Sequence, residues 1–370
     1  MKRRDFLGRV IVGAASATIA GATVACGDSA DSGKAPAVIT TPKVSWRLAS
    51  SFPRSLDTIY GGAEVLAERV AALSGGNFTI KTHPAGELVP GLEVLDAVQQ
   101  GAIQVGHTAS YYYTGKNKAL AFDCCVPFGL TARQQNAWLR EGGGTELMRS
   151  LFSDFGILNF PAGNTGVQMG GWFKKEVTSL ADLSGLKMRI PGLGGKVMDR
   201  LGATVQVLAG GDIFPALERG AIDATEWVGP YDDLSLGFYK VAKTYHYPGW
   251  WEPGPSLSYY VSQSAWDKLP AAYKEIFAAA AAQSAEAMQT RYDAKNPGAL
   301  EKIKAEGVAL KPFTPDVMAA ARKESDALLE EFAAEDPSFR KVFDQWSAFR
   351  KQQFSWFGVA ELAYNQAVSG

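Results

Sequence analysis

Strand-like and helical segments alternate through this sequence in two successive rounds, and that alternation is its strongest structural constraint. The first round opens with the strand-like VSWRLASSF from Val44 and a helical pattern through LDTIYGGAEVLAERVAAL. NFTIKTH then reads as a strand, LEVLDAVQQG as a helix and AIQVGHT as a strand. The second round begins near residue 166, where GVQMGGWF reads as a strand and LSGLKMRIP as a turn and strand. GGKVMDRLG follows as a helix, ATVQVL as a strand, IFPALERG as a helix and AIDATEW as a strand. Parallel strands need a crossover that a helix supplies, so this order specifies an α/β fold with a largely parallel sheet. The rounds also share an echo. AVQQGAIQVG (Ala97 to Gly106) and ALERGAIDAT (Ala216 to Thr225) agree at Ala, Gly, Ala and Ile, as two similar lobes would.

From Ala265 the pattern becomes helical. One long segment runs from Ala271 to Asn296, and the strand-like GVALKPF separates it from the remaining helical sequence. The final helical stretch carries an aromatic stripe of Phe343, Trp346, Phe349, Phe354, Trp356 and Phe357, too rich for a helix facing water. The expected organisation is a mainly first-lobe segment at 44–165 and a mainly second-lobe segment at 166–264 that includes crossover strands. Long helices at 265–370 span both and must pack their aromatics on something.

Ahead of these rounds, residues 1–25 read as an export signal. Lys2, Arg3 and Arg4 precede Phe6-Leu7 and an Ala/Gly-rich apolar stretch ending in small residues. The paired arginines before DFL resemble a twin-arginine signal; an ordinary secretory signal is the alternative. TVAC before Gly27 resembles a lipobox with Cys26 as the lipid-bearing residue, but Thr23 suits that motif poorly, and ordinary signal cleavage is the other ending. Residues 26–43 form a polar tether. The whole chain of 370 residues carries a net charge of −1, and removing the signal's +3 leaves about −4. Such a mildly acidic surface argues against a nucleic-acid partner.

Catalytic signatures do not emerge. The sequence has no G-x-S-x-G, no H-E-x-x-H and no spaced Cys/His cluster. His83, His107 and His246 follow no metal spacing and read as structural. Cys124 and Cys125 are adjacent within LAFDCCVPFGL and read as small buried residues. The glycines of GLGGKV, which lack the Ser or Thr of a phosphate loop, read as the start of a helix packed closely on its sheet. Nothing here asks for an enzyme. Glu226, beside Trp227 at the end of AIDATEW and before a Gly229-Pro230 turn, should project into a crevice beyond the strand. The residues alone leave acid–base chemistry, a metal or no ligand open to it.

Three stretches together resemble one family: LSGLKMRIPG around Arg189, AGGDIFPALERGAIDATEWVGPYDD, and YHYPGWWEPGP. They are similar to the extracytoplasmic solute-binding proteins of TRAP transporters, nearest to the group that binds 2-oxo acids such as pyruvate. PAGELVPGLEVLDAVQQGAIQVGHT and VPFGLTARQ fit the same family, from about Val44 to the C-terminal helices. The resemblance implies a two-lobed periplasmic binding protein fold, closing on a ligand in the cleft between lobes. It also implies delivery of a small organic acid to a membrane permease, and a metal ion bridging ligand and protein. Some members are dimers through a swapped C-terminal helix, which would cover the aromatic stripe.

By this resemblance Arg189 holds the ligand carboxylate. Its position agrees, since it lies near the end of LKMRI before a Pro-Gly turn, where its planar fork can make two parallel hydrogen bonds. A surface salt-bridge arginine is the plain alternative. Gln168 matches the family's metal-binding glutamine, Glu226 its carboxylate, and Trp227 a neighbouring ligand through its backbone carbonyl. Glu252 is the further oxygen donor, or else a charge on the rim. Such hard oxygen ligands suit Na⁺ or Ca²⁺ rather than zinc. Ligand carboxylate, Glu226, Glu252 and Arg189 sum to −2, which favours Ca²⁺, whereas the resemblance favours Na⁺, the ion expected here. Tyr111, Tyr112 and Tyr113 follow a strand end, where open α/β sheets form their crevice. Alternation lets one or two of them reach a ligand, with Tyr112 favoured. Phe52 and Trp227 would wall out long or branched acids. The other readings are the same fold binding a dicarboxylate or sugar acid, and an exported enzyme acting on a 2-oxo acid.

Overall fold

The computed structural model describes residues 42–369; the expected signal, Cys26 and nearly all of the tether lie outside them. Two mixed sheets form the two lobes. The first contains β1 (Val44–Ser50), β2 (Phe78–His83), β3 (Val105–Thr108) and β4 (Ile157–Asn164). The second contains β5 (Trp172–Phe173), β6 (Lys187–Arg189), β7 (Thr204–Gln206), β8 (Ala224–Thr225) and β9 (Thr244–Tyr247). β10 (Ser256–Ser262) returns to the first sheet and β11 (Ala309–Pro312) to the second, giving orders β2-β1-β3-β10-β4 and β11-β9-β5-β8-β6-β7. β1, β2 and β3 are parallel, as are β7, β6 and β8. The expected largely parallel arrangement is broken by β10 and β5, each antiparallel to both neighbours. These reversals occur where the chain passes between sheets, from β4 into β5 and from β9 into β10.

Local chemistry explains the elements. The helix Ile59–Leu73 buries Tyr60, Ala63, Leu66 and Val70, a helical stripe facing the first sheet. Truncating a fully buried leucine such as Leu66 to alanine costs about 2–5 kcal/mol, for lost transfer energy and the cavity left behind. The sequence echo is structural. The helices Val94–Gln99 and Gly210–Glu218 both run out into a left-handed glycine, Gly101 (φ 71°) and Gly220 (φ 76°). Ala102 N–H donates to the Ala97 carbonyl and Ala221 N–H to the Ala216 carbonyl, both at 2.9 Å. Ile103 and Ile222 are buried next, and the chain enters β3 and β8. Even the following polar residue is equivalent: Gln104 accepts from the Arg47 N–H and Asp223 from the Lys187 N–H.

Three segments differ from the sequence expectation. ILNFPAGN forms the long strand β4 despite Pro161, which is tolerated because β4 is an edge strand. GVQMGGWF is a strand only at Trp172–Phe173. Its glycines serve close backbone approach: a Cβ on Gly171 (φ 83°) would stand 2.5 Å from the Thr225 carbonyl oxygen. The long helix runs from Ala271 to Ala305, straight through Pro297. Burial of Ala299 and Ile303 beyond the proline offsets the lost hydrogen bond. This helix packs on the helix Ile59–Leu73, on β4 and on the helix Pro230–Leu236, so it spans both lobes. Farther on, the aromatic stripe divides. Phe343 and Trp346 are buried against Phe122, whereas Phe354 and Trp356 on the same helix, Pro337–Phe357, are exposed.

Candidate functional site

The ends of β6 and β8 place a charged pair between the lobes. Arg189, the last residue of β6, is 1% exposed, and Glu226, just past β8, is fully buried. Arg189 Nε donates to the Leu208 carbonyl at 3.1 Å and Nη1 to the Glu226 carbonyl at 3.2 Å. Nη1 also contacts the Glu226 carboxylate. That leaves Arg189 Nη2 and Glu226 Oε2 buried without partners. The Trp227 ring lies beside the guanidinium, its centre 5.3 Å from Cζ, a cation–π arrangement. Burial raises the Glu226 carboxyl to about 7, with Arg189 pulling the other way.

Gln168 and Glu252 come from the two segments that pass between sheets, and the backbone ties them together. Gln168 N–H donates to the Glu252 carbonyl at 3.1 Å, and the Gln168 carbonyl accepts from Gly249 at 2.9 Å. The Gln168 amide nitrogen donates to Thr165 Oγ1, so its Oε1 is the end left buried and unpartnered. Glu252 is 3% exposed and therefore no rim charge. Burial, then repulsion from Glu226, pushes its carboxyl well above the usual range. The Trp227 carbonyl accepts no backbone hydrogen bond among the described residues.

The first lobe contributes rings and hydroxyls. The three tyrosines lie on a 3₁₀ turn, Ser110–Tyr113, rather than on a strand. Strand alternation therefore does not apply; at three residues per turn, successive side chains diverge by about 120°. Tyr111 and Tyr112 face the site, while the Tyr113 hydroxyl turns away to Thr108 and the Leu95 N–H. Tyr111 OH reaches toward Glu252 at 3.5 Å, and burial pushes the Tyr112 hydroxyl well above its ordinary range, with nearby Arg189 pulling the other way. The turn is fixed from below by Asp123, which accepts from Ser110 and Ser258 at 2.5 Å and from Asn159 at 2.8 Å. Phe52, Tyr111, Tyr112, Gln168, Arg189 and Trp227 all line one cavity of about 10 Å³, room for little more than one water. The lobes are thus closed. Glu226 and Glu252 stand behind this lining, coupled to it through Arg189, Gln168 and Tyr111.

Two supporting residues escaped sequence reasoning. Asp233 accepts from Trp172 Nε1 at 2.8 Å, Tyr245 OH at 2.6 Å and the Val228 N–H at 3.3 Å, and so fixes the segment that carries Glu226 and Trp227. The doubled acid in GPYDD, opening a helix behind a Gly-Pro turn, was its only signal. Gly210 lies directly under the Trp227 ring.

The remaining candidates lie elsewhere. His107 is buried on Ser50, His246 stacks on Phe313, and His83 pairs with Glu87. Cys124 and Cys125 are free and buried. GLGGKV opens the helix Gly192–Arg200, where a Cβ on Gly195 would stand 2.6 Å from the Ile190 carbonyl oxygen. Among the described residues no cluster of three His, Cys, Asp or Glu could hold a metal, so any ion here must draw on amide and carbonyl oxygens as well.

Comparison with known proteins places this architecture. The model for family 7 bacterial extracellular solute-binding proteins matches residues 49–336. The monocarboxylate 2-oxoacid-binding periplasmic protein of Nostoc sp. PCC 7120 is 52% identical over 369 residues, covering 100% of this chain and 99% of that one. A TRAP transporter solute-binding protein from Bordetella bronchiseptica RB50 superposes with a TM-score of 0.87 at 47% identity, covering 88% and 97%. It is a mixed-occupancy dimer, one site holding copurified calcium and picolinate and the other apo. A TRAP solute-binding protein from Pseudoalteromonas atlantica T6c, with bound sodium and pyruvate, gives 0.85 at 41% identity, covering 88% and 99%. On the fold, the paired lobes and these matches, the chain belongs to the family 7 bacterial extracellular solute-binding proteins, the solute receptors of TRAP transporters.

Proposed function

We propose that this protein captures a small 2-oxo or 2-hydroxy monocarboxylate, pyruvate-like in size, in the interlobe cleft and delivers it to the membrane permease of a TRAP transporter. One observation carries this reading. Arg189 Nη2 and Gln168 Oε1, on residues that line one closed cleft, and Glu226 Oε2 behind that lining are buried polar atoms without partners. A ligand that brings both acceptors and a cation would pair all three, as buried polar groups favour. In this reading Arg189 takes the acid's carboxylate, and Tyr111 and Tyr112 orient it by their hydroxyls. Phe52 and Trp227 exclude water and long or branched tails. Among the described residues Arg189 is the sole positively charged one lining the cavity, which favours one carboxylate over two.

The residues also fit a bridging ion. Gln168 Oε1, the Glu226 carboxylate, the Trp227 carbonyl and Glu252 form an all-oxygen donor set, suited to Na⁺ or Ca²⁺. Such an ion would offset the repulsion between two buried carboxylates and polarise the acid's keto oxygen. We take Na⁺ as the resident ion, with Ca²⁺ the alternative; the Pseudoalteromonas relative holds sodium and the Bordetella one calcium. No group in this reading acts as a general base, so the acid is bound and released unchanged. The division into lobes near residues 165 and 264, a periplasmic location and a homodimer through the C-terminal helix belong to the same reading. Native mass spectrometry tests it: bound acid, metal and chain count should appear together. Calorimetry showing no heat with pyruvate in either Na⁺ or Ca²⁺, or pyruvate consumed on incubation, would overturn it.

A further inference from the structure

Away from the charged pair, a second buried carboxylate joins the two lobes. Asp232 lies in the second lobe, in the first turn of the helix Pro230–Leu236, and is fully buried. One of its oxygens accepts from the hydroxyl of Thr58, a fully buried residue just before the first-lobe helix Ile59–Leu73. The other accepts from Tyr292 OH at 2.6 Å, on the long helix that spans both lobes. Around this junction Lys295 bonds Asp57 at 2.5 Å and Tyr231 OH at 2.9 Å.

The junction is coupled to the cleft on both sides. Ile59, adjacent to Thr58, lines the cavity from the first lobe. Val228 lines it from the second, held by Asp233, the neighbour of Asp232. The Thr58 hydrogen bond therefore fixes the spacing of two opposing cleft walls without touching what lies between them. The spanning helix is also held to the first-lobe side, Arg291 donating to the Asp57 carbonyl at 3.0 Å beside Thr58, so Thr58 and Tyr292 grip Asp232 from one side.

We propose that Asp232 is a positioning residue for ligand retention, its bond from Thr58 forming as the cleft closes and breaking as it opens. This rests on the reading of the cleft as a ligand site. A bond made only in the closed form slows escape and leaves capture alone. Stopped-flow tryptophan fluorescence with pyruvate in Na⁺ buffer should show the dissociation rate of Thr58→Val raised several-fold, up to about tenfold, the worth of one buried hydrogen bond. The association rate should stay within about twofold, and Thr58→Ser should restore the wild-type dissociation rate. Asp232→Ala, which removes the acceptor and is tested in parallel in case Thr58→Val does not fold, should show the same selective rise. A structural contact present in both forms would instead lower the melting temperature and leave both rates unchanged, which would overturn the proposal. Wild-type protein that does not bind pyruvate would remove the functional reading and this inference with it.

Discussion

The ring of Trp227 rests on the bare backbone of Gly210: a methyl group at that glycine would stand 2.5 Å from Cη2 and 3.0–3.1 Å from its neighbours in the ring. Gly210 is the first residue of a helix and has no left-handed backbone to lose, so alanine is conformationally acceptable there. Gly210→Ala should therefore act on the site alone, pushing the indole off the Arg189 guanidinium. Pyruvate affinity should fall several-fold with the melting temperature within a few degrees of wild type. Equal affinity in calorimetry would show that Trp227 need not sit where it does.

Arg189→Lys keeps the charge and loses the fork. Nε and Nη1 already hold the Leu208 and Glu226 carbonyls, and a lysine ammonium cannot hold these and a ligand in the same geometry. Affinity should drop by about 1.5–3 kcal/mol, the range for a charge-assisted hydrogen bond. Isothermal calorimetry with pyruvate measures it, and no change would take Arg189 out of the binding step.

Metal and acid should bind cooperatively if an ion links Glu226 to the ligand. Each must then tighten the other by the same factor, with coupling of about 1–3 kcal/mol. Glu226→Gln keeps the shape and one oxygen donor but removes the charge that attracts the cation. Its pyruvate affinity should be poor at low Na⁺ and Ca²⁺ and partly recover as either is raised at constant ionic strength. Metal-stripped wild-type protein should behave likewise; undiminished binding by it would remove the ion from the mechanism.

Asp232 gives stability a pH signature. Burial raises its carboxyl from 3.8 to about 7, opposed by the hydrogen bonds from Thr58 and Tyr292. Between these values the folded chain holds a proton that the unfolded chain has released. The resulting stabilisation is complete below about pH 4 and is lost as pH rises through 7. His107, whose pKa burial lowers to about 3, contributes the opposite slope in wild type and variant alike. Melting curves of ligand-free wild type and Asp232→Asn should therefore converge or cross as pH goes from 4 to 7. Parallel curves would contradict a buried, proton-holding Asp232.

Beyond Trp346 the last helical turns expose their apolar groups, with Trp356 63%, Tyr364 66% and Val359 75% accessible. A second copy of the chain would cover them. Light scattering at micromolar concentration should give two chains per particle, and Trp356→Ala should shift the balance toward one. Single chains in the wild type would rule the dimer out.

The sequence exposed those parts of the fold that depend on local pattern. Leu66 and its helical neighbours, and the Gly101 and Gly220 turns, obey rules that a short window contains. β4 was hidden because Pro161 and Gly163 argue against a strand until its edge position is known. The helix past Pro297 was hidden because what sustains it, burial of Ala299 and Ile303, is tertiary. Within the candidate site, the convergence of Arg189, Gln168 and Glu226 was legible through long ordered motifs. The choice among the three tyrosines was not, because a 3₁₀ turn and a strand end give the same letters. Asp233 and Gly210 act through other residues, and a sequence does not show whom a residue supports.

The matching turns of the two lobes also reveal where the lobes are unlike. Strand register puts Ala49 of the first lobe in the place Arg189 holds in the second, and the echo puts the neutral His107 opposite Glu226. Charge has been given to one half of a duplicated frame and withheld from the other. In the proposed reading an arriving anion would meet charge on one side, and rings and hydroxyls would close over it from the other. Capture and dwell time can then be altered separately, the one at the charged pair and the other at the contacts that join the lobes.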